Sequence, residues 1–131
     1  MNCFKKLVLG SALIAFSTVS AWASPSKMVT VNKSQANVYA SIGGMQSTDP
    51  VKPGEKRERS WFMVKGICAA AGQTKTCSAE VVAQDGNSKV SIGKMNLDLD
   101  SGDITPKKQT SENGKYTLTV TGVAQVLITQ K

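Results

Sequence analysis

Cys68 and Cys77 are the two residues whose type and spacing most clearly predict a chemical bond, a disulfide. Cys68 and Cys77 enclose the segment AAAGQTKT, whose glycine and polar residues are typical of a hairpin loop. The flanking residues alternate, with Phe62, Val64, Gly66 and Cys68 on one side of the loop and Cys77, Ala79, Val81 and Ala83 on the other. If residue 68 faces residue 77, both sulfurs and both apolar sets fall on one side of the sheet. The spacing therefore predicts a Cys68–Cys77 disulfide across a β-hairpin with strands over 60–69 and 76–84.

A redox-active pair is the alternative for these two cysteines. The sequence has no CxxC spacing, no histidine and no βαβ pattern of the thioredoxin kind. In an exported chain, two cysteines most simply form one structural bond. A closed loop this short should stabilise the fold by roughly 2–3 kcal/mol.

A basic cluster in the segment 45–59 is the candidate binding feature. Lys52, Lys56, Arg57 and Arg59 lie there, and Trp61 follows them. The segment is rich in Gly, Pro and charge, so we expect a long surface loop, a place where binding residues are common. These five residues are the predicted partner-binding set, for an anionic glycan or an acidic protein surface. The alternative is a solvated loop whose acids, Glu55 and Glu58, pair with its own cations.

Nucleic acid is not an expected partner, because a dense basic stripe with interleaved aromatic residues is missing. Asp98, Asp100 and Asp103 resemble the start of a calcium loop, but position 109, where an EF-hand needs Glu, is Gln. The chain contains no histidine, so imidazole catalysis and histidine metal ligation are excluded. No convincing Ser–Lys motif occurs either. We therefore expect no enzyme activity, no metal and no cofactor.

Residues 1–23 have the pattern of a cleaved signal peptide. Lys5 and Lys6 precede an apolar run from Leu7 to about Phe16, and Ala21-Trp22-Ala23 fits the small-x-small rule for cleavage. The run is shorter than the roughly 20 residues that a membrane span needs. Cys3 lies before the run, not at the cleavage point, so no lipid anchor is expected. Cleavage would lower the net charge from +7 to +5 and leave a domain at 24–131, periplasmic or secreted.

The remaining sequence alternates with a period of two and shows no helical periodicity. We expect strands over 27–32, 36–43, 60–69, 76–84 and 89–99, and then one bent strand, or two strands hinged at Gly122, over 116–129. The phase of the fifth strand slips near Gly93-Lys94, which predicts a β-bulge. The residues 85–88 predict a turn, and 100–113 a second polar loop. The predicted core contains Phe62, Val64, Val81, Leu118, Val120 and Val126.

These elements predict an all-β domain, a single small antiparallel β-sandwich, with a small β-barrel as the alternative. We expect an exported, non-catalytic binding domain that interacts with another protein or with a cell-surface or host component. One alternative is a small secreted inhibitor of a protease or lysozyme, because 111–116 is loosely similar to the Ser-Gly-rich loop, ending in Tyr, of exported lysozyme inhibitors. Another is a structural subunit of a bacterial envelope assembly, which would need an exposed sheet edge. No membrane span is expected in 24–131, and the oligomeric state stays open.

Overall fold

The computed structural model describes residues 24–131, so the predicted signal peptide lies outside the described residues. Ten strands and one helix make up this part of the chain. The strands are β1 (Lys27–Asn32), β2 (Asn37–Ile42), β3 (Met45–Gln46), β4 (Lys56–Ser60), β5 (Thr76–Asp85), β6 (Ser88–Asp98), β7 (Ile104–Thr105), β8 (Lys108–Thr110), β9 (Tyr116–Gly122) and β10 (Gln125–Gln130). The helix α1 (Trp61–Ala70) follows β4 directly.

Two five-stranded sheets form the fold. Sheet A has the order β4-β1-β10-β9-β8, and sheet B has the order β3-β2-β5-β6-β7. All neighbouring strands are antiparallel except β1 and β10, which pair in parallel. The sheets do not close into a barrel, so the predicted β-sandwich is confirmed and the barrel alternative is wrong.

The core lies between the sheets, where every second residue of each long strand points inward. Four of the six predicted core residues are buried: Val64, Val81, Leu118 and Val126. Val120 is only partly buried and packs against the edge of the core. The sixth residue, Phe62, is exposed, so its predicted place in the core is wrong.

The best-predicted part of the sheet is the β5–β6 hairpin. Asp85 pairs with Ser88 across a tight turn, as expected. The pairing then shifts, because Val82 faces Ser91 whereas Val81 faces Gly93, which leaves Ile92 as the extra residue of a bulge. Ile92 is buried, so the bulge returns the second half of β6 to the correct face.

Residues 61–70 form a helix, which corrects the predicted strand over 60–69. The hydroxyl of Ser60 accepts a hydrogen bond from the Met63 backbone N–H at 3.4 Å and so caps the first turn. Trp61, Val64 and Cys68 are buried at the helical spacing i, i+3 and i+7. The sequence WFMVKGICAA is apolar on all sides of the helix, so no contrast of faces marks it, and its alternation imitates a strand.

Both predicted polar loops contain short edge strands. In the segment 44–59, β3 extends sheet B and β4 pairs with β1 at the edge of sheet A. In the segment 100–113, β7 and β8 occupy the other edges of the two sheets. Charged residues are accepted there because one flank of an edge strand faces water. Among residues 24–131, no helix is long and apolar enough to cross a membrane.

Candidate functional site

The predicted disulfide is present, but it connects the helix to a sheet. Cys68 and Cys77 are bonded, with their Cα atoms 5.8 Å apart. Cys68 lies in the last half of α1 and Cys77 at the start of β5, and both are buried. The bond is therefore confirmed, whereas the hairpin register inferred with it is wrong.

Trp61 holds the other end of the helix. Its indole Nε1 donates a hydrogen bond to the Leu99 carbonyl at 3.1 Å, and the side chain is only 2% exposed. An aromatic residue with so little exposed surface cannot anchor an interface. The prediction that Trp61 is a partner-binding residue is therefore wrong. The helix is thus fixed at both ends, by Trp61 near its start and by the disulfide near its end.

The outward face of α1 is an exposed apolar surface, which we call the helix patch: Phe62, Met63, Gly66, Ala69 and Ala70. Phe62 is 86% exposed and Met63 is 53% exposed. The helix has one charged residue, Lys65, and none of the patch residues has a hydrogen-bonding side chain. A helix that is apolar all round is normally covered on all sides. Here nothing in residues 24–131 covers the outer side.

A groove of about 340 Å³ runs beside Phe62. Lys65, Gly66 and Ala69 form its helix wall, and Thr74 and Leu99 form the other. A Cβ atom placed on Gly66 would meet no other atom within 4 Å, so the glycine leaves open space. Volumes of this order hold one or two large apolar side chains, and the groove therefore has a shape that a partner side chain can enter.

Three of the predicted basic residues, Lys56, Arg57 and Arg59, lie together on β4, but their side chains point to opposite sides of the strand. Arg57 and Arg59 are half-buried between the sheet edges, whereas Lys56 faces outward. Arg57 donates to the Asp49 carboxylate at 3.1 Å and to the Pro50 carbonyl at 3.0 Å. Most of its donor capacity is therefore used to hold the preceding loop against β4.

The outward charges of this strand are also paired. Glu58 lies 3.0 Å from the ammonium of Lys27 and 3.5 Å from that of Lys56. The hydrogen bond and the charge of Lys27 lower the pKa of the Glu58 carboxyl, with a smaller contribution from Lys56. Arg59 has one long hydrogen bond, 3.4 Å to Ser47, and Lys52 has no acidic partner within residues 24–131. Of the four predicted basic residues, Lys56 and Arg57 are thus paired with acids of their own segment, whereas Lys52 and Arg59 are not.

Of the three acidic residues Asp98, Asp100 and Asp103, the first and the last bind groups that are close to them in the sequence. One oxygen of Asp98 accepts the backbone N–H groups of Asp100 and Ser101, both at 3.0 Å, and these bonds lower the pKa of the Asp98 carboxyl. Asp103 pairs with Lys107. Within the described chain, no group of three His, Cys, Asp or Glu residues is arranged to hold a metal ion. In the 111–116 segment Tyr116 is buried, so that loop does not present its tyrosine as the lysozyme inhibitors do.

The helix patch is the surface that sequence reasoning missed. Its signal was a run of nearly uncharged residues after the capping Ser60, ending in the helix-forming Ala69-Ala70-Ala71. Gly72, with φ +79°, follows that run and marks the helix end. The alternation of Phe62, Val64 and Cys68 concealed this signal.

Comparison with known proteins gives two matches. The model of a family described as T2SS substrate NttC matches residues 1–131. A crystal structure of the Legionella pneumophila type II secretion system substrate NttC is similar, with a TM-score of 0.73 and 26% sequence identity. That similarity covers 82% of this chain and 100% of the other. No curated protein matches the sequence.

Proposed function

The chain belongs to the NttC family of type II secretion system (T2SS) substrates, and from that premise we propose that it is an exported, non-catalytic binding domain. We infer that it contacts a partner protein through the helix patch. The observation that carries this proposal is the exposure of Phe62 and Met63 on a helix that is apolar on every side. This surface is largely apolar, with Lys65 as its one charged neighbour in the groove wall, and it favours a partner surface that is also largely apolar.

The rigidity of the helix supports the same function. The Cys68–Cys77 bond and the Trp61–Leu99 hydrogen bond hold α1 on the sandwich. A surface that is already ordered loses little conformational freedom when a partner binds. Phe62 and the adjacent groove then offer what interface centres commonly contain, a large apolar side chain beside a cavity.

Two alternative functions have less support from the geometry. A hydrolase inhibitor would need a protruding loop, and the tyrosine of the 111–116 segment is buried. A structural subunit would need a sheet edge open to pairing, but β4 has the sequence KRERS and is charged at four of five positions. Charged edge strands resist pairing with another chain.

Site-specific photo-crosslinking tests the proposal. A photoreactive phenylalanine at position 62 should give one discrete adduct when the oxidised protein is mixed with host-cell or envelope extract. The same group at Lys89, an exposed residue of the β5–β6 hairpin, should give none. Excess unlabelled protein should remove the adduct, whereas excess Phe62→Ser protein should not.

The basic residues of β4 and of the loop before it are the competing binding location. A triple variant with Lys52, Lys56 and Arg59 changed to Ser should still compete for the adduct, because the helix patch is unchanged. An adduct that forms equally at positions 62 and 89, or that only the triple variant fails to displace, would place the binding surface outside the helix patch.

A further inference from the structure

The outer face of sheet B presents a group of polar side chains around one tyrosine. We call this group the platform: Tyr39, Ser41, Glu80, Ser91 and Lys94. Tyr39 stands opposite Val82, which stands opposite Ser91, so the three form one row across the strands. Ser41, Glu80 and Lys94 form the next row. Both rows point away from the core, because the intervening residues of β2 and β5 face inward.

Most polar groups of the platform have no partner within residues 24–131. Ser91 donates to the Glu80 carboxylate at 2.7 Å, which leaves the other carboxylate oxygen free. No side-chain hydrogen bond joins Tyr39, Ser41 or Lys94 to another residue of the described chain. This differs from β4, where charged side chains pair with their neighbours.

The platform also has a concave part. A depression of about 250 Å³ is lined by Ser41, Glu80 and Lys94, together with Gly44, Ser78 and Ala79. A Cβ atom on Gly44 would meet nothing within 4 Å, so this side of the depression is open. The depression therefore offers the Ser41 hydroxyl, one carboxylate and one ammonium group to a small polar ligand, whereas the Ser78 hydroxyl already donates to Gln73 at 3.4 Å.

Tyr39 is half-buried and lies outside the depression, so a ligand can reach only the exposed part of its ring. We propose that the platform binds an oligosaccharide, with one sugar ring against the exposed part of Tyr39 and the next over the depression. The face of an aromatic ring is electron-rich and attracts the weakly positive C–H groups of a pyranose face. Sugar hydroxyls both donate and accept hydrogen bonds, which suits a set containing the acceptor Glu80 and the donor Lys94. Neighbouring positions lie about 4.8 Å apart across the strands and about 7 Å apart along them, close to the width of a pyranose ring.

The balance of charge favours a sugar over the other polymers. A nucleic acid needs several cations along one stripe, and the platform contains one ammonium beside one carboxylate. A lipid surface needs several exposed apolar side chains close together, as Phe62 and Met63 are on the helix patch, whereas Met45 is the one large exposed apolar residue of the strands next to the platform. The platform does not share a residue with the helix patch, so this inference stands independently of the protein partner.

A glycan array tests the inference. The fluorescently labelled, disulfide-bonded protein is applied to defined oligosaccharides, and the strongest ligand is then titrated by calorimetry. Tyr39→Ala should raise its dissociation constant at least tenfold, because the stacking surface is lost. Tyr39→Phe retains the ring and should change the constant less than threefold.

Two further variants distinguish a loss of sugar binding from a loss of folding. Glu80→Gln removes a charged acceptor at a solvent-facing position and should weaken binding even if Tyr39→Ala is poorly folded. Phe62→Ser changes the helix patch and should leave sugar affinity unchanged. The proposal is overturned if no oligosaccharide binds above background. It is equally overturned if folded Tyr39→Ala and Glu80→Gln proteins bind as tightly as the unchanged protein.

Discussion

Replacing Trp61 with Ala should lower the free energy of unfolding by about 3–5 kcal/mol, whereas replacing its neighbour Phe62 with Ala should change it by less than about 0.5 kcal/mol. The two residues are adjacent and both are aromatic. They differ in their surroundings, because Trp61 is 2% exposed and Phe62 is 86% exposed. The comparison therefore measures the helical placement of this segment directly.

The expected cost at Trp61 has two sources in the structure. A buried aromatic side chain removes about 150–250 Å² from water, which at about 25 cal/mol per Å² gives an upper limit of roughly 4–6 kcal/mol, because Ala keeps part of that area and the unfolded chain already buries some of it. Loss of the indole donor also leaves the Leu99 carbonyl, 3.1 Å away, without its partner. Trp61→Phe keeps most of the apolar area but removes that donor and part of the buried ring volume, so it should cost about 1–3 kcal/mol.

Urea unfolding of the oxidised protein, followed by circular dichroism, measures all three variants. Because domains of this size are stable by only about 5–15 kcal/mol, Trp61→Ala could fail to fold, and Trp61→Phe then provides the measurable step. A strand over 60–69 would bury Phe62 instead. A loss of more than about 1.5 kcal/mol in Phe62→Ala, together with little change in Trp61→Phe, would therefore refute the helix and its orientation.

Three other features give predictions. Replacing both cysteines of the disulfide with Ala should lower the free energy of unfolding by about 2–3 kcal/mol in urea titrations, and no change would show that the bond does not restrain the unfolded chain. Gly102→Ala should destabilise the protein more than Gly54→Ala in thermal melts, because both glycines have φ near +80° but only a Cβ at Gly102 would meet Pro25, at 2.7 Å. The Asp98 carboxyl has a lowered pKa in the folded state, so its contribution to stability is complete above the unfolded pKa and is lost as the pH falls through the folded value. Urea midpoints measured from pH 6 downward should therefore fall less steeply below about pH 4 in Asp98→Asn than in the unchanged protein.

The regular strands could be predicted because their local pattern and their tertiary surroundings agree. In β5 and β6, alternation defines the buried face, the Asp85–Ser88 segment fixes the turn, and a slip in phase marks the bulge at Ile92. For the C-terminal segment the sequence predicts one bent strand or two strands, because Gly122 permits either. Pairing of Gln125 with Gly122 decides for a hairpin.

The helix could not be predicted from periodicity, because a helix with apolar residues on every side has no contrast between its faces. The cysteine pair strengthened the wrong interpretation, since a disulfide constrains the distance between two residues but not the structure around each. The same error placed Phe62 in the core and Trp61 on the binding surface. In a strand, with a period of 2, Phe62 would face the core and Trp61 would face solvent. In the helix, with a period of 3.6, Trp61 is buried and Phe62 is exposed.

The basic cluster shows a different limit of sequence reasoning. Its composition correctly indicated a charged surface segment, but composition does not reveal which cations already have partners. Folding places Asp49 beside Arg57 and Lys27 beside Glu58. The Lys27–Glu58 pair depends on the register of β4 against β1, and the Asp49–Arg57 pair depends on the path of the loop before β4. No local pattern defines either of them.

The parallel pairing of β1 with β10 has a consequence for the order of folding. Val29 pairs with Gln125, so this contact joins residues from the two ends of the described chain. Sheet B is built largely from the consecutive hairpin β5–β6 and its near neighbours, and we expect it to form early. In sheet A, in contrast, β1 lies between β4 and β10 and has no partner on its second side until β10 has formed. Until β10 arrives, β1 and β4 form an isolated two-stranded ribbon, which is marginally stable in water. In a chain that leaves a channel with its N-terminus first, sheet A therefore cannot be completed until β10 has been released.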